Sequence, residues 1–308
     1  MSFSHEVKTD LCSVVPGDEG LMALELAVML AWSARYTADQ VRLTTSHPAV
    51  RDRILLHFDE LLGMVPETSQ GKDSCTLHLS GEFECQAVHS FVQNELNLEP
   101  QTGAVLRPLP ETPEEQGAVL RAIFLIAGSM TDPDSAYHLE ITCYHQPVEL
   151  YFCQLLRLLG ITPHEVKRHQ ARSLYIKDSE AISTFLAYAG AYRSMLRFES
   201  LRVEKDMRNS INRMVNCDAA NAMRIAEAGV RQHQQLSWFS ERYGFAKLPA
   251  ELAAAAEIRL AYPSLSLREL GEKLDPPLTK SGVNHRLKRL ERLVKEAWEA
   301  EKGPQREA

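Results

Sequence analysis

Two hydrophobic periods divide the first 190 residues into helices and strands. Apolar residues recur at helical spacing in 21–33, 49–63, 82–95, 114–128, 148–160 and 179–190. Apolar and polar residues partly alternate, as in a strand with one buried face, in 40–45, 75–80, 136–144 and 173–177. The chain therefore combines helices with strands in an α+β pattern.

The order helix, strand, helix, strand, helix occurs twice. A stretch with four prolines, 97–113, separates the two copies. Equivalent places in the copies are occupied by HPAVRDRILLHFDELLGM and HQPVELYFCQLLRLLGI. We therefore predict one domain over 1–195, built from two repeats at about 14–96 and 114–192.

The next segment, 196–244, has the pattern of a basic helical linker without strands. One polar face of this helix carries Arg208, Asn209, Asn212 and Arg213. Three roles for that face stay open: contact with DNA, docking on a partner protein, and bracing of the two domains. Core positions are predicted for the apolar residues Leu201, Val203, Met207, Ile211, Met214 and Val215.

The region 245–302 has the pattern of a helix-turn-helix domain. Helices are predicted at 250–261, 266–274 and 279–300, with a Pro-Pro break before the last one. Ser264 or Ser266 can cap the second helix, and Glu269 is a capping-box partner for Ser266. Thr279 can cap the third helix. In the third helix an apolar stripe is formed by Val283, Leu287, Leu290 and Val294. Residues 303–308 are predicted to be a disordered tail.

The third helix is also the most basic part of the chain, with six Lys or Arg and one Glu between 279 and 295. In a helix-turn-helix the second helix of the motif lies in the major groove, with its N-terminal part at the base edges. Asn284 can bond bidentately to adenine, whereas the cations mainly position the phosphate backbone. The predicted DNA-binding residues are Thr279, Lys280, Ser281, Asn284, His285, Arg286, Lys288, Arg289 and Arg292. The alternative interpretation is a solvated basic face without a ligand.

Charge is distributed unevenly along the chain. Residues 1–120 carry a net charge of −11 and residues 121–308 a net charge of +4. Only the second part is therefore suited to a phosphate backbone. No apolar run approaches the roughly 20 residues of a membrane span, and the N-terminus has no signal pattern. We expect a cytoplasmic, nucleoid-associated protein without a membrane contact.

The sequence contains no motif for binding a metal ion or a cofactor. The six cysteines have no paired CxxC spacing, and the histidines near Cys143, at 138 and 145, lack a second cysteine pair. A Gly-rich phosphate loop and a recognisable catalytic set are also missing from the sequence. We therefore predict no metal, no cofactor and no enzymatic activity.

Four segments carry a resemblance to a known family. They are MSFSHEVKTDL at the N-terminus, FLIAGSMTDPDSAYHLEI at 124–141, LRFESLRVEKDMRNSINRMVNCDAAN at 196–221 and KSGVNHRLKRL at 280–290. In these segments the chain resembles the WhiA family of bacterial transcription regulators. The resemblance implies a duplicated, degenerate LAGLIDADG homing-endonuclease-like domain of αββαββα type, followed by an all-α helix-turn-helix domain.

In such endonucleases an acidic residue at the end of each of two paired helices binds the catalytic metal. The resemblance places Ser33 and Ala127 at these two positions. Neither side chain can hold Mg²⁺, which takes carboxylate oxygens. Asp132 and Asp134 lie shortly after Ala127, and turn formation around Pro133 is their favoured role.

The resemblance implies a regulator that binds double-stranded promoter DNA and controls cell division or sporulation genes. RNA polymerase or its sigma factor is a further partner that it suggests, and docking of this partner is one of the open roles of the polar face at 208–213. Two other hypotheses remain: an interaction protein that acts through a sigma factor without reading DNA, and a residual nuclease.

Overall fold

The computed structural model describes residues 2–37, 39–99, 101–144, 146–168 and 171–302. The predicted tail 303–308 and His145 lie outside the described residues. The chain divides into two compact units, Met1–Met207 and Arg208–Ala308. This division falls inside one long helix rather than in a loop.

The first unit begins with helix α1 (Phe3–Cys12), whose N-terminal cap is Ser2. The first repeat then consists of α2 (Glu19–Ser33), β1 (Arg35–Tyr36), β2 (Gln40–Thr45), α3 (Pro48–Leu62), β3 (Glu67–Gln70), β4 (Cys75–Ser80) and α4 (Glu82–Leu96). Its strands form an antiparallel sheet in the order β1-β2-β4-β3.

The second repeat follows the same order. It consists of α5 (Pro113–Ala127), β5 (Gly128–Met130), β6 (Leu139–Cys143), α6 (Gln146–Leu158), β7 (His164–Arg168), β8 (Ala171–Ile176) and α7 (Ser179–Ala189). The sheet order β5-β6-β8-β7 repeats that of the first sheet, again with antiparallel pairs. The predicted duplicated αββαββα architecture is confirmed.

The hydrophobic pattern detected the central strands of each sheet but not the outer ones. The pattern did not indicate β1, β3, β5 and β7, although the resemblance implies four strands in each repeat, and each of these four is an edge strand. β3 (Glu67–Gln70) is exposed at every position, so it has no buried face to create an alternating pattern. Edge strands are stabilised by backbone pairing with their neighbour, which leaves little trace in side-chain hydropathy.

Helices α2 and α5 pack against each other in the core of the first unit. The fully buried residues Leu26 and Met29 of α2 and Leu120 and Phe124 of α5 belong to one hydrophobic cluster. At the C-terminal end of α2, Trp32 Nε1 donates a hydrogen bond to the carbonyl oxygen of Thr142 at 2.8 Å. This bond ties the first repeat to β6 of the second.

Helix α8 (Tyr192–Tyr243) contributes to both units, and α9 (Ala250–Ala261), α10 (Leu267–Glu272) and α11 (Lys280–Lys302) complete the second unit. The predicted linker 196–244 is thus helical as far as Tyr243. Its last part supplies Leu236 and Phe239 to the hydrophobic core of the second unit. At Gly229 a Cβ atom would lie 1.8 Å from the carbonyl oxygen of Pro263, so only glycine allows α8 this close to the loop after α9.

The middle of α8 differs from the prediction. Val203, Met207, Ile211, Met214 and Val215 are 56–64% exposed, so their assignment to a core was wrong. Leu201, the sixth residue of that set, is partly buried. Their apolar spacing is helical, but this part of α8 contributes to neither of the two hydrophobic clusters of described residues.

Candidate nucleic-acid interface

The orientation of α11 is fixed by its apolar stripe. Val283, Leu287, Leu290 and Val294 are 1–3% exposed and lie in the core of the second unit, where α11 packs against α9 and α10. Burial of this stripe stabilises one orientation of the helix about its own axis. The opposite, polar face is consequently turned away from the core.

The turn that precedes α11 is defined by capping and by one glycine. Thr279 Oγ1 accepts a hydrogen bond from the backbone N–H of Gly282 at 3.3 Å, as its predicted capping role requires. Ser266 and Glu269 form the predicted capping box of α10, and hydrogen bonds from Ser266 lower the pKa of the Glu269 carboxyl. A Cβ atom on Gly271 would lie 2.2 Å from the carbonyl oxygen of Leu278, so the short turn requires glycine there.

Most of the predicted DNA-binding side chains lie on the exposed face of this motif. The exposed members are Thr279, Lys280, Ser281, Asn284, His285, Lys288, Arg289 and Arg292. Arg286 differs, because its Nη1 donates to the Glu251 carbonyl oxygen at 3.4 Å and its Nη2 lies 3.6 Å from Glu251 Oε2. Arg286 therefore braces α11 against α9, and a phosphate would have to compete with Glu251 for it.

A cleft of about 610 Å³ adjoins the polar face of α11 within the second unit. Three predicted residues, Lys280, Asn284 and Lys288, line one side of it. Other lining cations come from α10 and from α8, namely Arg268, Arg224 and Arg231. Residues that are distant in sequence therefore line the same cleft as three of the predicted residues.

The predicted auxiliary residues occupy another place on α8. Arg208, Asn209, Asn212 and Arg213 are all exposed, and none of them lines this cleft. Their polar face lies more than two helical turns before the first lining residue, Asn221.

The two positions that would carry the endonuclease acids are equivalent in the structure. Ser33 is the last residue of α2 and Ala127 the last residue of α5, and both helices have 15 residues. In the part of the chain that the structure describes, no cluster of three or more His, Cys, Asp or Glu is arranged to hold a metal ion. Asp132 Oδ1 accepts from the backbone N–H of Asp134 at 3.1 Å, in keeping with the predicted turn.

Similarity to known proteins extends over both units. The model of the WhiA LAGLIDADG-like domain matches residues 116–208, and the model of the WhiA C-terminal HTH domain matches residues 211–294. A probable cell division protein WhiA of Clostridium perfringens is 30% identical over 310 residues, which cover 96% of this chain and 98% of that protein. The chain belongs to the WhiA family.

Two further relatives support the assignment along the full chain. A probable cell division protein WhiA of Clostridium botulinum is 31% identical over 312 residues, with 96% of this chain and 98% of that protein covered. The crystal structure of full-length DUF199/WhiA from Thermotoga maritima superimposes with a TM-score of 0.59 at 26% identity, covering 96% of this chain and 99% of that one. The resemblance expected from the four segments is confirmed, and it includes the first repeat.

A buried ionic cluster lies between the paired helices of this WhiA-family chain. Glu25 of α2 is fully buried, and its Oε2 accepts from Arg53 Nη2 at 3.0 Å and from Arg121 Nε at 2.7 Å. Its Oε1 contacts Arg53 Nε and lies 3.3 Å from His57 Nε2. Burial alone would raise the pKa of Glu25, but the hydrogen bonds from His57 and Arg53 and the charges of Arg121 and Arg53 outweigh it and hold that pKa far below its ordinary value.

Two charged residues inside otherwise apolar helices indicate this cluster in the sequence, although the hydrophobic pattern alone does not predict it. Glu25 interrupts the apolar helix LMALELAVMLAWS, and Arg121 interrupts AVLRAIFLI. A charged residue inside an otherwise apolar helix is seldom buried without a partner. For the cleft residues Arg224 and Arg231 the signal was weaker, since arginines occur along much of α8.

Within the described ranges, no helix combines the length and the low polarity that a membrane crossing requires.

Proposed function

We propose that this protein is a sequence-specific DNA-binding transcription regulator that acts at promoters. The observation that carries the proposal is the division of α11 into a buried apolar stripe and an exposed polar face with Lys280, Asn284, Lys288 and Arg289. This is the arrangement with which the second helix of a helix-turn-helix enters a major groove. Its Clostridium relatives are called probable cell division proteins, so cell division genes are the targets that we propose.

We further propose that the first unit does not cleave DNA. Phosphodiester cleavage assisted by metal ions requires carboxylates that hold the ions. The equivalent helix ends carry Ser33 and Ala127, whose side chains contain no carboxylate. The endonuclease-like unit then serves as a body that carries the DNA-binding unit and offers surface to other partners.

The proposal is tested by the salt dependence of DNA binding. Duplexes that the full-length protein selects from a random library are the probes, because the recognised sequence is unknown. Replacement of Lys288 and Arg289 by Ala is expected to flatten the slope of log K against log salt by about 1 for each lost phosphate contact. Asn284→Ala is expected to reduce the preference for selected over scrambled duplex, since one bidentate base contact contributes about 1–3 kcal/mol of discrimination.

Lys295→Ala is the matched control on the same helix. Lys295 lies 3.7 Å from Glu299 and about four turns after the start of α11, where a recognition helix leaves the base edges. The slope of this variant should equal that of the unchanged protein. If the double variant also keeps the full slope and affinity, α11 does not bind DNA.

A second candidate function is regulation through a protein partner, such as a sigma factor, without DNA readout. It is favoured by the exposed apolar side chains Ile211, Met214 and Val215 on α8. This alternative predicts no salt-dependent DNA binding. It also predicts that purified sigma factors are retained by the full-length protein, and that retention is lost when Ile211 and Met214 are changed to Ser.

A further inference from the structure

The cleft beside α11 is lined by many more cations than carboxylates. Its lining contains the cations Arg224, Arg231, Arg259, Arg268, Lys280 and Lys288, and a single carboxylate, Glu291. Arg259 is 2% exposed and lies at the floor of the cleft, whereas the other five cations are exposed. Such an excess of one sign along a concave surface concentrates the field on a ligand of the opposite sign.

The cleft is built by a buried polar network rather than by flexible surface side chains alone. Arg259 Nε of α9 donates to Gln232 Oε1 of α8 at 2.7 Å, and Gln232 Nε2 donates to Glu291 Oε1 of α11 at 2.8 Å. Arg259 Nη1 also donates to the carbonyl oxygen of Leu265 at 2.7 Å. These bonds tie three helices together beneath the exposed cations. The close approach of α8 to the Pro263 carbonyl at Gly229 fixes the position of α8 along one side of the cleft.

Two rows of cations face the cleft from different helices. Arg224 and Arg231 are seven residues apart on α8, and Lys280 and Lys288 are eight residues apart on α11. At 1.5 Å per residue, each row is about 10–12 Å long. Arg224 hydrogen-bonds the neutral Asn221 Oδ1 at 3.3 Å, and Arg231 lies 3.8 Å from Glu291. Such exposed contacts are weak, so both guanidinium groups can turn to a phosphate.

We infer that this cleft binds the phosphate backbone of the same duplex that α11 reads, with Arg224 and Arg231 of α8 as the added phosphate-binding residues. The inference rests on the proposed function. Asn284 and Lys288 belong both to the reading face and to the lining of the cleft. A backbone strand that borders the groove occupied by Asn284 therefore lies beside the cation row of α8. Arg224 and Arg231 position the duplex and do not read its sequence.

The test uses the full-length protein and the selected duplex. Arg224→Ala and Arg231→Ala are each expected to weaken binding roughly two- to fivefold near physiological salt. Each should also flatten the salt slope by about 1. The ratio between selected and scrambled duplex should stay unchanged, unlike in Asn284→Ala. Arg224→Lys keeps the charge and should restore most of the slope, which separates a phosphate contact from a packing effect.

Arg242→Ala is the matched control, because Arg242 is also an exposed arginine of α8 but pairs with Glu301 outside the cleft. If Arg224→Ala and Arg231→Ala behave like this control while the Lys288 and Arg289 variant loses slope, the inference about the cleft is wrong and the proposed function stands. If none of these variants changes binding, both are wrong. A change in sequence preference in Arg224→Ala would overturn the positioning role.

Discussion

Glu25 is the residue whose loss should affect the first unit most. The Glu25 side chain is fully buried, and those of Arg53 and Arg121 are only 7% and 6% exposed. Glu25→Gln keeps the shape of the side chain but leaves two buried guanidinium groups without their anion. Breaking a buried pair by removing one partner costs about 3–5 kcal/mol. For a unit of roughly 200 residues this lowers the melting temperature by about 6–20 °C.

Differential scanning calorimetry of the full chain measures this shift. Glu60→Gln is the matched control, because Glu60 is exposed on α3, the helix that supplies Arg53 and His57. An exposed substitution of this kind changes the free energy of unfolding by only about 0.5 kcal/mol or less. The circular dichroism spectrum at low temperature should be unchanged in both variants.

The difference between the unchanged protein and Glu25→Gln should also depend on pH. The folded-state pKa of Glu25 is far below its ordinary value of 4.5, so its contribution is fully present above the unfolded pKa. It is lost progressively as the pH falls below about 4.5 toward the folded pKa. A Glu25→Gln shift as small as that of Glu60→Gln, or one that stays constant from pH 7 to pH 3, would refute the reasoning.

Two further substitutions test the second unit by its unfolding in denaturant. Gly229→Ala should destabilise it, because the added Cβ would lie 1.8 Å from the Pro263 carbonyl oxygen; an unchanged unfolding midpoint would show that α8 does not approach this loop. Ser266→Ala should cost about 1 kcal/mol through loss of the capping box of α10, whereas Ser266→Asp should retain most of the stability, and equal losses in both variants would contradict the capping role.

The sequence predicted those features that depend on local spacing. The stripe from Val283 to Val294 lies within one helix, so its burial could be predicted without knowledge of the fold. The capping residues Ser266 and Thr279 act within three positions of themselves, and both roles are confirmed. The duplication was visible because each repeat has its own set of apolar helices.

Features that depend on distant partners could not be predicted in this way. Glu25 meets partners that are 28 and 96 residues away in the chain, and no spacing rule connects them. The apolar residues of α8 show the converse error, since helical spacing predicts a buried face whether or not another element covers it. The cleft was missed for the same reason, because Arg224 and Lys288 come together only through the packing of the second unit.

The ionic cluster also makes the two repeats unlike each other. Because α2 and α5 have the same length and end at equivalent residues, Glu25 corresponds to Val119 and Arg121 corresponds to Ala27. Two copies of the first repeat would thus place Ala27 where Arg121 meets Glu25, and two copies of the second would place Val119 where Glu25 meets Arg121. The ion pair between Glu25 and Arg121 therefore forms only when the two unlike halves pack together. The duplicated architecture thus contains an ion pair that its internal symmetry does not repeat.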